Sequence, residues 1–291
     1  MNSVCLLLLL TLSLSFQIVA VSQQKNTPAL NRPPQLVRTT TRHEQRRFAY
    51  GGTLTLSGAP AGSITIEGWS RSEVDISAEI QLRADTEADL DLLAAVNTFV
   101  LDEDMNHLRV LSTGTHDKAF MKTVAKKFPK TLLGLPWKID YRIRVPLSLD
   151  LDINAGRGPI SIAGVEGNIR VSAAESEANL KLSGGTLSAT IVVGKLNLSI
   201  PTRSWRGNGA ELRVAAGELT VELAPGFSGD INADILRAGR IEDSYGLEPR
   251  RTRGVSGPNQ LRVSAGAGGA FFQFTVGDGT IYIKKAVMSN E

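Results

Sequence analysis

Short apolar triplets of the form apolar-x-apolar recur between Tyr141 and Ile235, and no other feature of the sequence constrains the fold as strongly. One series of triplets is Ile160-Ser161-Ile162, Leu180-Lys181-Leu182, Leu196-Asn197-Leu198 and Leu219-Thr220-Val221. A second series lies between them: Ile169-Arg170-Val171, Ala189-Thr190-Ile191, Leu212-Arg213-Val214 and Ile231-Asn232-Ala233. The repeat averages roughly twenty residues, and Gly, Asn and Ser turns leave no room for helices. Such a repeat predicts a β-solenoid, because each coil pairs only with its neighbours.

Alternation within the triplets predicts which side chains face the interior. Apolar positions should be buried, and the Ser, Lys, Arg, Asn, Thr and Glu between them should face water. Five inward positions represent the prediction: Ile162, Val171, Leu182, Leu198 and Val221. A β-sandwich would also show short alternating strands, at intervals of about 8 to 12 residues, and it is the alternative fold. The short strands and the persistent repeat favour an all-β solenoid, or single-stranded β-helix, with a minor helical part.

Two segments depart from the strand pattern. Asp85 to Val96 has acidic residues in its first turn and a helical spacing of Leu and Val, which predicts a helix beside the β body. Lys118 to Lys138 is basic, and Phe120, Val124 and Phe128 are spaced as on one face of an amphipathic helix. We expect that helix to pack on the sheet, and a helix that binds a membrane surface or a polyanion is the alternative.

The N-terminal residues 1–22 read as a signal peptide. Cys5 to Leu14 is almost wholly apolar, and the small residues Ala20 and Ser22 follow in the arrangement that signal peptidase reads. Cleavage after Ser22 is expected, which leaves no stable membrane span and no cysteine in the mature chain. Because residues 1–3 contain no Lys or Arg, an uncleaved anchor is the alternative.

Residues 23–47 are expected to form a disordered basic linker. Between Arg32 and Arg47 five arginines lie among Thr, Pro and Gln, a composition with little apolar surface to bury. Electrostatic attraction to anionic envelope polymers or lipid headgroups is the alternative role. The formal charge of the whole chain is only +3, so no nucleic-acid partner is expected. The linker should lead into a β domain over residues 48–285, with a tail at 286–291.

The supply of catalytic side chains is poor. The chain has three histidines, His43, His107 and His116, and no spacing typical of a zinc site or a serine nucleophile. No catalytic, cofactor-binding or metal-binding residue is therefore predicted, and no cofactor is expected. The nearest carboxylate pairs are Asp150 with Asp152, and Asp230 with Asp234. Alternation places Asp150 and Asp152 on one strand face, and that face is expected to be the solvent face.

The aromatic segment near the C-terminus has two interpretations. Phe271, Phe272 and Phe274 could fold over the last coil and close it, with the terminal strand beyond them at the end of the stack. They could equally belong to one more pair of core strands. The pattern of residues does not separate the two.

Four motifs carry a family resemblance. They are Gly62-Ser63-Ile64-Thr65-Ile66-Glu67-Gly68-Trp69, Tyr141-Arg142-Ile143-Arg144-Val145-Pro146, Gly158-Pro159-Ile160-Ser161-Ile162 and Gly277-Asp278-Gly279-Thr280-Ile281-Tyr282-Ile283. In this order they resemble the bacterial putative-adhesin family of single-stranded β-helix domains, over roughly Phe48 to Lys285. The resemblance implies secretion or surface display, and it offers no catalytic residues.

The sequence thus predicts an exported protein of the periplasm, cell surface or extracellular space. It should have a structural or binding role at the bacterial envelope, with an envelope or extracellular glycan, or a protein surface, as partner. The alternative is a carbohydrate-active enzyme, a polysaccharide lyase or hydrolase on a β-helix scaffold, which would need carboxylates and a basic residue converging in one groove.

Overall fold

A computed structural model describes residues 36–48, 50–124, 128–247 and 257–286. Its strands are β1 (Leu36–Arg47), β2 (Thr53–Ala61), β3 (Ile64–Trp69), β4 (Glu73–Ala84), β5 (Thr98–Glu103), β6 (His107–Thr113), β7 (Trp137–Pro146), β8 (Asp150–Arg157), β9 (Ile160–Ala163), β10 (Asn168–Lys181), β11 (Gly184–Ile200), β12 (Arg206–Leu223), β13 (Gly229–Asp243), β14 (Gln260–Ala265) and β15 (Phe271–Lys285). Helices α1 (Glu87–Val96) and α2 (Lys118–Val124) and a 3-10 turn at Lys130–Leu132 complete the described elements. The predicted signal segment 1–22, and residues 23–35 of the predicted linker, lie outside the described residues.

All fifteen described strands belong to one hydrogen-bonded sheet, which confirms the all-β prediction. The main path runs β1, β4, β7, β3, β9, β10, β11, β12, β15, β13 and β14, and β2, β5, β6 and β8 pair beside it. Among the described strands no pairing joins the first strand of this path to the last. Most neighbours from β3 onward are parallel, whereas β1, β4, β5 and β14 pair antiparallel with theirs.

The long strands each consist of two segments that pair separately. The first half of β10 pairs with β8 and its second half with β9, and β11, β12, β15 and β13 continue both ladders in register. We call the ladder through β6, β2, β8 and the first halves of the long strands, ending at β14, the first wall. The second wall runs through β1, β4, β7, β3, β9 and the second halves of the long strands.

Apolar side chains of both walls form one buried core. On the second wall Ile162, Leu180, Leu198, Val221 and Ile283 stack in register, and each is at most 2% exposed. The five predicted inward residues are all buried, so the predicted alternation is confirmed. Stacking equivalent apolar residues from successive strands gives a continuous interior that no single strand could bury alone.

The expected linker is wrong over residues 36–47, which form strand β1. Twelve residues of β1 pair antiparallel with β4, so the backbone groups along one edge of β1 are hydrogen-bonded although the strand has no apolar face of its own. Its arginines have partners on other elements: Arg38 contacts Glu87 and Asp91 of α1, and Arg42 lies 4.3 Å from the centre of the Phe99 ring. Ion pairs and backbone pairing therefore order a segment whose composition alone predicts disorder.

The closure of the stack by the C-terminal aromatics is also wrong, and the alternative of further core strands holds. Strand β15 lies between β12 and β13 in the interior of the sheet. Phe272 and Phe274 are fully buried, and Phe272 packs against Trp205 and Phe227 at ring-centre distances of 5.7 and 5.5 Å. The chain thus returns to insert its last strand between two earlier ones.

The first of the two predicted helices is confirmed, whereas the described part of the second is shorter than predicted. Helix α1 agrees with the prediction for Asp85 to Val96, and the Thr86 hydroxyl accepts a hydrogen bond from the Asp89 amide at its N-terminus. The described part of the second helix ends at Val124, and Phe128 lies outside it while packing against the core. Over the stretches that the structure describes, no helix combines the length and apolar character needed to cross a bilayer.

Candidate functional site

A shallow groove crosses the first wall, and it is the candidate functional site. It comprises two adjoining hollows of about 390 and about 490 Å³ that share Thr186 and Ser188. Its polar lining consists of Thr53, Asp150, Asp152, Asn168, Arg170, Thr186, Ser188, Asn208, Glu211 and Gln273, and Phe271 lies at one end. From β2 to β15 the groove spans five strand spacings, or about 24 Å at about 4.8 Å each. We call it the first-wall groove.

The structure brings Asp150, Asp152 and Arg170 together in this groove. Asp152 and Arg170 are register partners on β8 and β10. The carboxylate of Asp150 is already engaged, because it accepts the Asn168 backbone amide at 2.7 Å and the Asn168 side-chain amide at 3.0 Å. Convergence of two carboxylates and a basic residue is the arrangement that the enzyme alternative requires.

Four groove residues have side chains that are free to form hydrogen bonds with a ligand. Within the described parts of the chain, the side chains of Thr53, Asp152, Arg170 and Ser188 have no hydrogen-bond or ion-pair partner. Asn208 by contrast donates to the Thr186 hydroxyl at 3.1 Å, and Gln273 donates to Asp234 at 3.0 Å. The groove therefore mixes fixed polar groups with groups that a ligand could engage without breaking an existing bond.

The second carboxylate pair, Asp230 and Asp234, also faces outward on the first wall, but both carboxylates already accept hydrogen bonds. Asp234 accepts two hydrogen bonds from the Arg262 guanidinium, at 2.6 and 2.8 Å, besides the one from Gln273. Asp230 accepts a hydrogen bond from the Ser264 hydroxyl. These contacts tie β13 to β14 and β15, so the pair supports the edge of the sheet.

Among the described residues, Phe271 is the one aromatic side chain that lines the first-wall groove, and it is 50% exposed. Side-chain direction alternates along this strand, since Phe272 and Phe274 face the core. Gly209 is the register partner of Phe271 on β12 and brings no side chain against the ring. The Phe271 ring thus lies at the end of a polar groove, and the buried rings of Phe272 and Phe274 hold its strand against the core.

The second wall carries a charged cluster around Asp75, whose side chain is only 11% exposed. His43 and Arg144 both bond to this carboxylate, and Arg144 and Arg71 lie 4.7 and 5.0 Å from the centre of the Trp69 ring. Burial opposes the charge of Asp75, but the hydrogen bonds from His43 and Arg144 outweigh it and hold the pKa of the carboxyl below its usual value. The cluster joins β1, β4 and β7.

The other histidines occupy separate places. His107 contacts Asp104, whose pKa falls to about 2 chiefly because the backbone amide of Asn106 donates to its carboxylate. His116 packs 5.3 Å from the Trp137 ring centre, and burial lowers the pKa of its imidazole. Within the described ranges, no three His, Cys, Asp or Glu side chains lie close enough to hold a metal ion.

Comparisons with known proteins give distant structural likenesses only. No family model matches the chain, and no curated protein matches it. A structure described as a putative cell adhesion protein from Clostridium sporogenes is 14% identical, with a TM-score of 0.49 over 85% of this chain and 100% of its own. A putative adhesin from Bacteroides fragilis is 11% identical, with a TM-score of 0.35 over 85% and 97%. A putative lipid binding protein from Parabacteroides distasonis is 11% identical, with a TM-score of 0.23 over the same shares.

Sequence reasoning locates Asp150 and Asp152, two of the three carboxylates of the described groove lining, but misses Arg170, Ser188 and Phe271. The first two are the outward residues of recognised strand segments, so only the register between strands shows that they share one groove. Phe271 belongs to the aromatic segment whose place in the fold the sequence leaves open. Its exposure follows from alternation with Phe272 once that strand is assigned to the core.

Proposed function

We propose that this protein is an exported, adhesin-like β-solenoid that binds a glycan or protein surface at the bacterial cell envelope and catalyses no reaction. The observation that carries the proposal is the in-register stack of parallel strands in two walls. Successive turns of chain place equivalent outward side chains at about 4.8 Å intervals, which gives a long, rigid, polar surface. Such a surface suits the binding of an extended partner.

The parallel pairing supports a solenoid over a sandwich. A β-sandwich is built from antiparallel hairpins and Greek keys, whereas β8, β10, β11, β12, β15 and β13 all run parallel on the first wall. Consecutive members such as β10 and β11 are joined by only two residues, Leu182 and Ser183. Two parallel strands normally need a long crossover connection. With only two connecting residues, the return path must be supplied by the second-wall halves of the long strands.

Export rests on the N-terminal sequence. The apolar run in residues 1–22, followed by small residues, predicts that the mature protein begins near Gln23. The experiment is to fractionate the native host and to determine the N-terminus of the recovered protein. A mature chain starting near Gln23 and absent from the cytosol supports export, and an intact Met1 in the membrane fraction would show an anchor.

The binding role is tested with the purified mature chain and washed envelope fractions of the host. We expect sedimentation of the protein with the envelope in a saturable manner. Protein from which residues 36–47 are deleted serves as a comparison for electrostatic attachment through the arginines of β1. Complete recovery of the intact chain in the supernatant at all envelope concentrations would contradict the proposal.

A carbohydrate-active enzyme is the second candidate, because Asp150, Asp152 and Arg170 share the first-wall groove. Two residues apart on one strand face, the carboxylates are separated by about 7 Å, a spacing that inverting glycosidases use. Such enzymes need the acid and the base on opposite sides of the sugar, however, and both of these residues rise from one flat wall. Release of reducing ends from a polysaccharide by the wild type, lost in Asp152→Asn, would favour the enzyme.

A further inference from the structure

We infer that the first-wall groove binds a linear, largely uncharged oligosaccharide lengthwise, with the ring of Phe271 as the platform for one sugar. The inference rests on the proposed binding role and names the ligand class and the site. Three observations lead to it: the polar character of the groove, the excess of carboxylates over basic groups in its described lining, and the exposure of an aromatic ring at its end.

The position of the groove excludes the usual mode of peptide capture. Extended peptides bind β-proteins by adding a strand to a sheet edge, where backbone groups are free. The groove instead crosses the middle of the sheet, over β8, β10, β11 and β12, whose backbones are paired on both sides. A ligand in it meets outward side chains, which carry hydroxyls, amides, carboxylates and a guanidinium, together with the ring of Phe271.

The charges in the groove disfavour a polyanion. Asp150 and Asp152 contribute two carboxylates against the one guanidinium of Arg170 in the described lining. The third carboxylate of the lining, Glu211, is paired with Arg213 on the same strand and adds no net charge. A phosphate- or sulfate-rich chain would be repelled by this balance. A polyhydroxylated chain is accepted, since its hydroxyls can donate to the carboxylates and accept from Arg170 and Ser188.

Phe271 supplies the apolar contact that a sugar needs. A sugar ring has polar edges and C–H faces, and the electron-rich face of an aromatic ring attracts such C–H groups. The ring of Phe271 is half exposed, and its register neighbour Gly209 leaves the β12 side open. Because Phe272 anchors the strand against Trp205 and Phe227, the platform is held on a rigid element.

The test is titration calorimetry of the mature chain with cellohexaose, chitohexaose and laminarihexaose, and with polygalacturonate as an anionic probe. We expect binding of at least one neutral hexasaccharide, at least tenfold weaker in Phe271→Ala and retained in Phe271→Trp. Asp152→Asn should weaken the same interaction severalfold. Tyr282→Ala is the matched control, because Tyr282 is an outward aromatic on the second wall.

The outcomes separate this inference from the proposed function. If none of the neutral hexasaccharides binds, or if Phe271→Ala binds as tightly as the wild type, the inference is overturned even when the protein still sediments with envelopes. Equal losses in Tyr282→Ala and Phe271→Ala would overturn the assignment to the first wall. Preference for polygalacturonate would overturn the uncharged ligand. Circular dichroism of each variant ensures that a loss of binding is not a loss of fold.

Discussion

Gly217 stacks directly on Gly194: the two residues are register partners on β12 and β11, and a Cβ placed on Gly217 would overlap the carbonyl oxygen of Gly194. Both have positive φ values, +139° and +134°. The column continues through Gly279 and Gly239 on β15 and β13, at the junction between the two walls. Two features therefore exclude a side chain at these positions: the positive φ of the backbone and the carbonyl group of the neighbouring strand.

The column of stacked glycines, Gly194, Gly217, Gly279 and Gly239, predicts that adding one methyl group lowers the stability of the protein substantially. Gly217→Ala should lower the free energy of unfolding by about 1 to 3 kcal/mol, because the methyl group both strains φ and displaces a neighbouring carbonyl. Urea denaturation followed by circular dichroism measures it. Gly134→Ala is the matched control, since a methyl group on Gly134 would meet no described atom within 4 Å, and it should change stability by less than about 0.5 kcal/mol. Equal stability of the two variants would refute the role of the column.

Burial on the second wall predicts a contrast between adjacent residues. Leu198 is 1% exposed in the core, whereas Asn197 faces outward and donates to Asn179 at 2.8 Å. Leu198→Ala should cost about 2 to 5 kcal/mol through lost burial and a residual cavity, and Asn197→Ala less than about 1 kcal/mol. The midpoints of chemical denaturation give both values. Similar losses would show that the strand register is incorrect.

Asp75 predicts an acid-dependent stability. The pKa of its carboxyl in the folded protein lies below the usual 3.8, so the charged form adds stability above that pH, and the contribution disappears as the pH falls through the folded value. Asp75→Asn should therefore lower the melting temperature by several degrees at pH 7, and the difference should shrink as the pH falls below 3.8 and through the folded-state pKa.

Asp152→Asn is the matched control for that measurement, because Asp152 has no ion-pair partner among the described residues. Its melting temperature should follow that of the wild type across the whole pH range. A difference between wild type and Asp75→Asn that stays unchanged over the whole acidic range in which the protein remains folded would show that the carboxylate charge is not the stabilising feature.

Local patterns in the sequence predict much of this fold, and their limits have physical causes. Alternation identifies buried positions such as Val171 and Leu182, because burial on a strand depends on period 2 alone. Local alternation does not predict strand β1, because residues distant in sequence stabilise it, Glu87 and Asp91 among them. The sequence predicts only part of the first-wall groove, because register and strand order place Asp152 and Phe271 along the same groove.

The placement of β15 is the feature that local patterns could least predict. A solenoid read in chain order would place the last strand at the end of the stack, yet β15 follows β14 in sequence and lies between β12 and β13. Parallel pairing satisfies both of its edges, from Phe271 to Lys285 on the β12 side. Tertiary pairing, which no periodicity encodes, determines this order.

That placement predicts what truncation does. Removing residues 267–291 takes away the strand that joins β12 to β13, together with the buried side chains of Phe272, Phe274, Ile281 and Ile283. We expect loss of the cooperative thermal transition and of near-ultraviolet circular dichroism, because β13 and β14 lose their connection to the core and the large apolar surface of β12 is exposed. Removing only residues 287–291, beyond the last described residue, should leave the melting temperature within about 1 °C of the wild type. A protein lacking residues 267–291 that stays monomeric in light scattering and melts as the wild type does would show that β15 is peripheral to the sheet.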